Sequence, residues 1–178
     1  MSNKAMQKWK EIGRERVLDT YTIIEKVTYE LPNGETKDMY VKIQKRAACI
    51  LALTENNEVI MVEQYRPGPD KVLLELPGGY VEDGENPVEG AARELREETG
   101  YDGNVQFVTT ALDDAYSTMV RSCFVATNCR KVGDQELDDS EFMSVRLVPL
   151  EDFKKILRSG EMTDVEVGFL GLDFLKML

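Results

Sequence analysis

Hydrophobic and polar positions divide the chain into a strand-like first half and a mixed second half. Residues 17–30, VLDTYTIIEKVTYE, are rich in β-branched and aromatic side chains and lead into Leu31-Pro32-Asn33-Gly34, whose chemistry suits a tight turn. Residues 36–44 then read as the returning strand of a hairpin. Two apolar runs, 47–53 and 59–64, flank the polar Thr54-Glu55-Asn56-Asn57-Glu58 and predict a second hairpin. Past Arg66-Pro67-Gly68-Pro69 a short apolar run, 72–76, ends at Pro77-Gly78-Gly79.

The period changes at Asn86. Asn86 is placed as an N-cap, Pro87 at the first helical position, Glu89 to complete a capping box, and Gly100 as the stop of a helix. Strands follow over 105–110, 122–126 and 144–148, then amphipathic helices over 150–158 and 165–177. This order of hairpins, helix, strands and helices is that of an α/β protein, without repeats or a linker that would divide it.

Composition narrows the chemistry. The 178 residues, 42% of them hydrophobic, suffice for the core of one ordinary globular domain. The longest apolar runs are too short to span a bilayer, and MSNKAMQKWK lacks the apolar stretch of a signal peptide, so a cytoplasmic protein with no membrane contact is expected. Cys49, Cys123 and Cys129 have no metal-ligand spacing and are odd in number, which points to reduced thiols at apolar positions. A formal net charge of −11 argues against binding DNA or coating RNA, because neutralising phosphates needs a basic surface. The absence of histidine excludes a Ser/His/Asp triad, a Cys/His dyad and histidine-bound zinc, leaving carboxylates, lysines, tyrosines, hydroxyls or a metal held by oxygen.

The stretch GYVEDGENPVEGAARELREETGY, 79–101, carries such chemistry. Glu94, Glu97 and Glu98 stand at i, i+3 and i+4, so a helix gathers their carboxylates on one face about 5–6 Å apart. Such mutual repulsion is offset by a hard divalent cation such as Mg²⁺, which carboxylate oxygens bind with several waters retained. On spacing alone the same acids also read as a solvated face with Arg93 and Arg96 as partners. The glycine pair before the loop and the capped helix favour the first reading: backbone without side chains lets a ligand approach, and Arg93 can hold Glu97 one turn on. A metal there would neutralise phosphate oxygens and lower the pKa of an attacking water.

The stretch resembles the Nudix box, Gly-x5-Glu-x7-Arg-Glu-U-x-Glu-Glu-x-Gly-U with U bulky and usually aliphatic. Gly79, Glu85, Arg93, Glu94, Leu95, Glu97, Glu98 and Gly100 occupy their places, with Tyr101 as the last U. The resemblance implies an α/β/α sandwich around a mixed sheet and metal-dependent hydrolysis of a nucleoside diphosphate linked to another moiety. It implies Glu94 and Glu98 as main metal ligands, Glu97 as a ligand of a further ion or an assistant, and the Gly78 carbonyl as an added ligand. Glu85 and Arg93 would orient helix and loop. Mg²⁺ is the implied cofactor, with Mn²⁺ as a substitute.

Beyond the box the chain is similar to the ADP-ribose and nucleoside-diphosphate-sugar pyrophosphatases. The matching pieces are Val62-Glu63-Gln64-Tyr65-Arg66, Leu74-Glu75-Leu76-Pro77-Gly78-Gly79, Cys123-Phe124-Val125-Ala126-Thr127 and Leu137-Asp138-Asp139-Ser140-Glu141-Phe142. This similarity implies Glu141 as general base or positioner of the attacking water, Arg66 on the phosphates and Tyr21 stacked on the base. It also implies a homodimer that exchanges N-terminal strands, with 1–45 as the dimerising β region and 46–178 as the Nudix domain. Asp113-Asp114-Ala115-Tyr116-Ser117 lacks the proline common where ADP-ribose is preferred, which leaves room for GDP-mannose or broad specificity. Nucleoside triphosphates, RNA 5′ ends and a non-catalytic nucleotide sensor are the alternatives, although the only basic cluster, Lys42 to Arg46, is diluted by apolar residues and no box acid is missing.

Overall fold

The computed structural model describes residues 6–178 and has two compact units, Met1–Lys45 with Leu112–Met119 and Arg46–Ala111 with Val120–Leu178. In the first, β1 (Lys10–Asp19), β2 (Ile23–Glu30) and β3 (Thr36–Ile43) form an antiparallel sheet in that order. The expected single strand over 17–30 is corrected. The chain reverses at Thr20-Tyr21-Thr22, where the Thr20 amide and hydroxyl donate to the Thr22 carbonyl (3.2 and 3.3 Å) and the Thr22 amide donates to the Thr20 hydroxyl (3.3 Å). Hydroxyls that bond locally to backbone make a turn inside a run whose β-branched composition otherwise reads as strand. β1 has no hydrophobic period because KEIGRERVLD is mostly charged; it is held by its ladder to β2 and by Arg14 paired with Glu11 and Glu25. The turn after β2 is as expected, with the Gly34 amide donating to the Leu31 carbonyl at 2.9 Å.

In the second unit, β4 (Ala47–Thr54) is buried along almost its whole length. It pairs antiparallel with β5 (Glu58–Arg66), as the expected hairpin, and parallel with β9 (Val120–Lys131). β6 (Lys71–Glu75), β7 (Gly78–Tyr80), β8 (Tyr101–Leu112) and β10 (Met143–Pro149) complete a mixed seven-stranded sheet, its main path β10-β5-β4-β9-β8 with β6 on β5 and β7 on β4. Strand side chains alternate between faces, and both faces of β4 are apolar because helices cover both. Cys49, Leu51 and Leu53 pack with Phe153 and Leu157 of α2 (Leu150–Ser159) and with Val167 and Leu172 of α3 (Val165–Phe174). Ala48, Ile50 and Ala52 pack with Ala91 and Leu95 of α1 (Pro87–Thr99) on the other side. The expected α/β/α sandwich is therefore present. The three cysteines are free and buried in these layers, and among the described residues no helix is long and apolar enough to cross a membrane.

α1 begins and ends where the sequence predicts, with one difference at the cap. The Asn86 side chain accepts from the Val88 amide at 3.1 Å, one residue short of the Glu89 amide that a capping box would use. Gly100 closes the helix in the left-handed conformation (φ 73°). α3 ends at Phe174, shorter than expected, because Lys176 also takes a positive φ of 59°.

Candidate active site

The residues of the motif converge where β7 meets α1. Gly78 lies so close to β4 that a Cβ there would stand 2.4 Å from the Ala48 carbonyl oxygen, and one on Gly79 would stand 2.6 Å from the Glu94 carboxylate. Only glycines let backbone and carboxylates approach this closely. The Gly78 amide donates to Glu98 Oε2 at 2.8 Å, tying the strand to the last turn of α1.

Arg93 is the hub. Its Nε donates to Glu85 at 3.0 Å, Nη1 to Glu94 and Glu97 at 2.9 Å each, and Nη2 to Glu85 and to the Tyr80 carbonyl at 3.2 Å each. The planar fork thus fastens loop, β7 and helix together, using donors that a lysine lacks. The alternative pairing through Arg96 does not occur, since Arg96 reaches Asp102 at 3.1 Å.

Burial grades the acids. Glu97 is partly exposed, the Glu94 side chain is largely buried and Glu98 retains only 6% of its surface. Burial, with the charges of Glu94 and Glu141 adding to it, pushes the Glu98 carboxyl up to about 8, against the Gly78 amide and Arg66, which pull it down. Burial also raises Glu94, reinforced by Glu97 and Glu141, while its hydrogen bonds to Arg93 hold Glu85 below the ordinary carboxylate range. The charges of Glu141 and Arg66 thus act on Glu98, although both residues lie far from it in sequence. Glu141 sits in a turn in which its carboxylate accepts from the Asp138 amide at 3.1 Å. Tyr21 lies in the first unit, fully exposed at the tip of the β1–β2 turn rather than on a strand.

Among the described residues no three His, Cys, Asp or Glu side chains form a ready metal cage. Glu94 and Glu97 turn to Arg93, and Glu98 turns to Gly78. The donor set nonetheless suits a hard divalent ion: it is all oxygen, it is partly desolvated, and three carboxylates share one guanidinium while a fourth, Glu98, is held by the Gly78 amide. A cavity of about 590 Å³ lined by Thr99, Tyr101, Lys131, Asp134, Gln135, Val145 and Leu147 lies beside the C-terminal end of α1 and includes none of these carboxylates. There the Gln135 side chain and the Glu136 amide donate to the Glu98 and Glu97 carbonyls at 2.7 and 2.8 Å, capping the helix that carries the acids.

Sequence reasoning gave no role to Glu75, at the end of β6. It is wholly buried and accepts from Arg66, Gln64 and Thr163. Val62 stands opposite Glu75 in the ladder, so Val62, Gln64, Arg66 and Glu75 share a face, a register that no local pattern encodes.

The NUDIX domain family model matches residues 43–165. An ADP-ribose pyrophosphatase of Bacillus subtilis (strain 168) is 33% identical over 91% of this chain and 86% of its own. A methanol dehydrogenase activator of Bacillus methanolicus is 31% identical over 76% of this chain and 75% of its own. The solved structure described as "Crystal structure of ADP compounds hydrolase" superposes with a TM-score of 0.82, at 23% identity over 97% of each chain, which bears on the fold. A box helix with its glycine strand and arginine hub in place, matched over well over half the chain by the family model, makes this protein a member of the NUDIX domain family.

Proposed function

We propose that this protein hydrolyses the pyrophosphate bond of a nucleoside diphosphate sugar, of which ADP-ribose is the first to test, giving a nucleoside monophosphate and a sugar phosphate. The observation that carries the reading is the Arg93-clamped cluster of Glu94, Glu97 and Glu98 behind the Gly78-Gly79 strand, supported by the similarity to an ADP-ribose pyrophosphatase over most of both chains.

Glu94, Glu98 and the Gly78 carbonyl would hold a divalent ion, Mg²⁺ or Mn²⁺ in its place, with Glu97 available to a further ion. When bound, such an ion neutralises phosphate oxygens and acidifies water. Arg66 contacts the phosphates with a permanently charged fork. Glu141, whose charge acts on both Glu94 and Glu98, takes the proton of the attacking water or orients it. Water adds to one phosphorus as the bond to the bridging oxygen breaks. Glu85 and Arg93 keep the loop and α1 in register, a supporting role of the kind that tunes metal sites.

The homodimer stays part of this proposal. Its support is the edge strand β1, which leaves Ile12, Val17 and Leu18 exposed. Light scattering on a sizing column reads the mass directly, and a monomer at micromolar concentration would discard it.

The test of activity is nucleoside monophosphate release from ADP-ribose, GDP-mannose, UDP-glucose, diadenosine polyphosphates and nucleoside triphosphates, each with Mg²⁺ and with chelator. Metal-dependent cleavage of the diphosphate sugars is expected. Cleavage of triphosphates alone would move the chain to another Nudix class, and silence throughout would favour a nucleotide-sensing domain.

A further inference from the structure

A fully buried carboxylate sits outside the box cluster. Glu75 has no exposed surface, and a buried charge is tolerated only when donors surround it. Here they do: Arg66 Nε at 2.8 Å, Arg66 Nη2 at 2.7 Å and Gln64 Nε2 at 2.8 Å all reach Oε2, while Thr163 Oγ1 reaches Oε1 at 2.7 Å. These partners come from β5 and from the segment just before α3, so the carboxylate is fixed from both sides. Arg66 is the last residue of β5, before Pro67-Gly68, where a long side chain would otherwise sample many rotamers. Glu75 takes the Nε and Nη2 edge of its fork, and 44% of the Arg66 side chain stays exposed, so the donors of Nη1 are those an incoming anion can take. Glu75 stands three residues before Gly78, whose amide holds Glu98, so the Glu75–Arg66 pair adjoins the carboxylate cluster along the chain; the Arg66 charge, which pulls the Glu98 carboxyl down, agrees with this.

We infer that Glu75 is a positioning residue for pyrophosphate recognition, holding the Arg66 guanidinium in its binding orientation before substrate arrives. The inference rests on the proposed reading of Arg66 as a phosphate contact. Glu75 touches no reacting atom and acts only through Arg66. Preorganisation of this kind removes the ordering cost that binding would otherwise carry.

The test is a double-mutant cycle of parent, Glu75→Gln, Arg66→Ala and the double variant, each assayed with ADP-ribose at saturating Mg²⁺ and titrated with Mg²⁺-ADP by calorimetry. Glu75→Gln keeps the shape and removes the charge. It is expected to lower kcat/KM by about 10–100-fold, the range usual for supporting residues, and to weaken ADP correspondingly. In the Arg66→Ala background the same change is expected to do nothing further, a non-additivity that a general packing role would not give. Glu75→Asp keeps the charge and withdraws it by one methylene, so it serves if Glu75→Gln melts early; a smaller loss, again absent without Arg66, is expected. Losses that multiply in the double variant, or ADP bound equally by parent and Glu75→Gln, overturn the assignment. A parent that binds ADP in the expected hierarchy of variants but cleaves no diphosphate sugar sinks the functional reading and leaves Glu75 standing. A parent that binds no ADP overturns the assignment of Glu75 and Arg66, whatever it cleaves.

Discussion

Two of the arginine–carboxylate knots in the second unit, those around Arg93 and around Glu75, are built in opposite ways. Around Arg93, one guanidinium is divided among Glu85, Glu94 and Glu97 with Glu98 close by, so acids outnumber bases and part of the cluster meets solvent. Around Glu75, one buried acid is surrounded by Arg66, Gln64 and Thr163, so charge is balanced and the acceptor is saturated. An acid-rich, incompletely compensated knot is suited to receive a cation; a saturated one is suited to hold a side chain still. The contrast separates the place where chemistry happens from the place that aims a group at it.

The largest effect should come from the acid-rich knot. Glu98→Gln keeps the volume and the chance of accepting from Gly78, and should lower kcat by about 10³-fold, since a lost ligand forfeits several kcal/mol of charge stabilisation at about 1.4 kcal/mol per decade. Circular dichroism and melting should show the fold intact. If this variant turns over at the parent rate in excess Mg²⁺, Glu98 is no ligand and the contrast collapses.

Arg93→Lys keeps one charge but cannot reproduce the fork that reaches Glu85, Glu94, Glu97 and Tyr80. A fall of about 10–100-fold in kcat/KM is expected, with a higher Mg²⁺ concentration needed for half-maximal rate. An unchanged Mg²⁺ requirement would mean that the hub does not arrange the acids.

The smallest effect is on stability and follows from burial. Glu98 is raised from 4.5 to about 8 in the folded protein, so the native state keeps a proton that the unfolded chain has already released. The stabilisation is complete below about pH 4.5 and disappears as pH climbs through about 8, and the upward direction at Glu94 has the same sign. In chelator, the melting temperature should therefore drop by several degrees between about pH 5 and about pH 8, at about 2–4 °C per kcal/mol for a domain of this size. Excess Mg²⁺ should reverse much of that drop, and Glu98→Gln should flatten it. A melting temperature in chelator that rises over this interval would contradict the direction.

What could be read from the sequence differs between the knots for a physical reason. The box acids lie within one helix, so spacing alone places them, and Asn86, Pro87 and Gly100 mark its ends. Strands with apolar alternation or turn chemistry beside them, such as β4 and β5, were equally legible. Glu75 was not, because its partners at 64, 66 and 163 meet only through sheet pairing and the approach to α3, and in Val72-Leu73-Leu74-Glu75-Leu76 it looks like one polar interruption. The parallel pairing of β4 with β9 is hidden likewise, since nothing local encodes a partner some 70 residues away. β1 and the turn at Tyr21 carry no such pattern, because ion pairs and hydroxyl-to-backbone bonds, rather than hydrophobic period, define them.

The most direct measurement is AMP release from ADP-ribose by parent and Glu98→Gln, each with Mg²⁺ and with chelator. The account predicts AMP and ribose 5-phosphate in equal amounts from the parent with Mg²⁺ only, and at least about 100-fold slower release from a folded Glu98→Gln. AMP formed as fast in chelator, or by the variant at the parent rate, would contradict it.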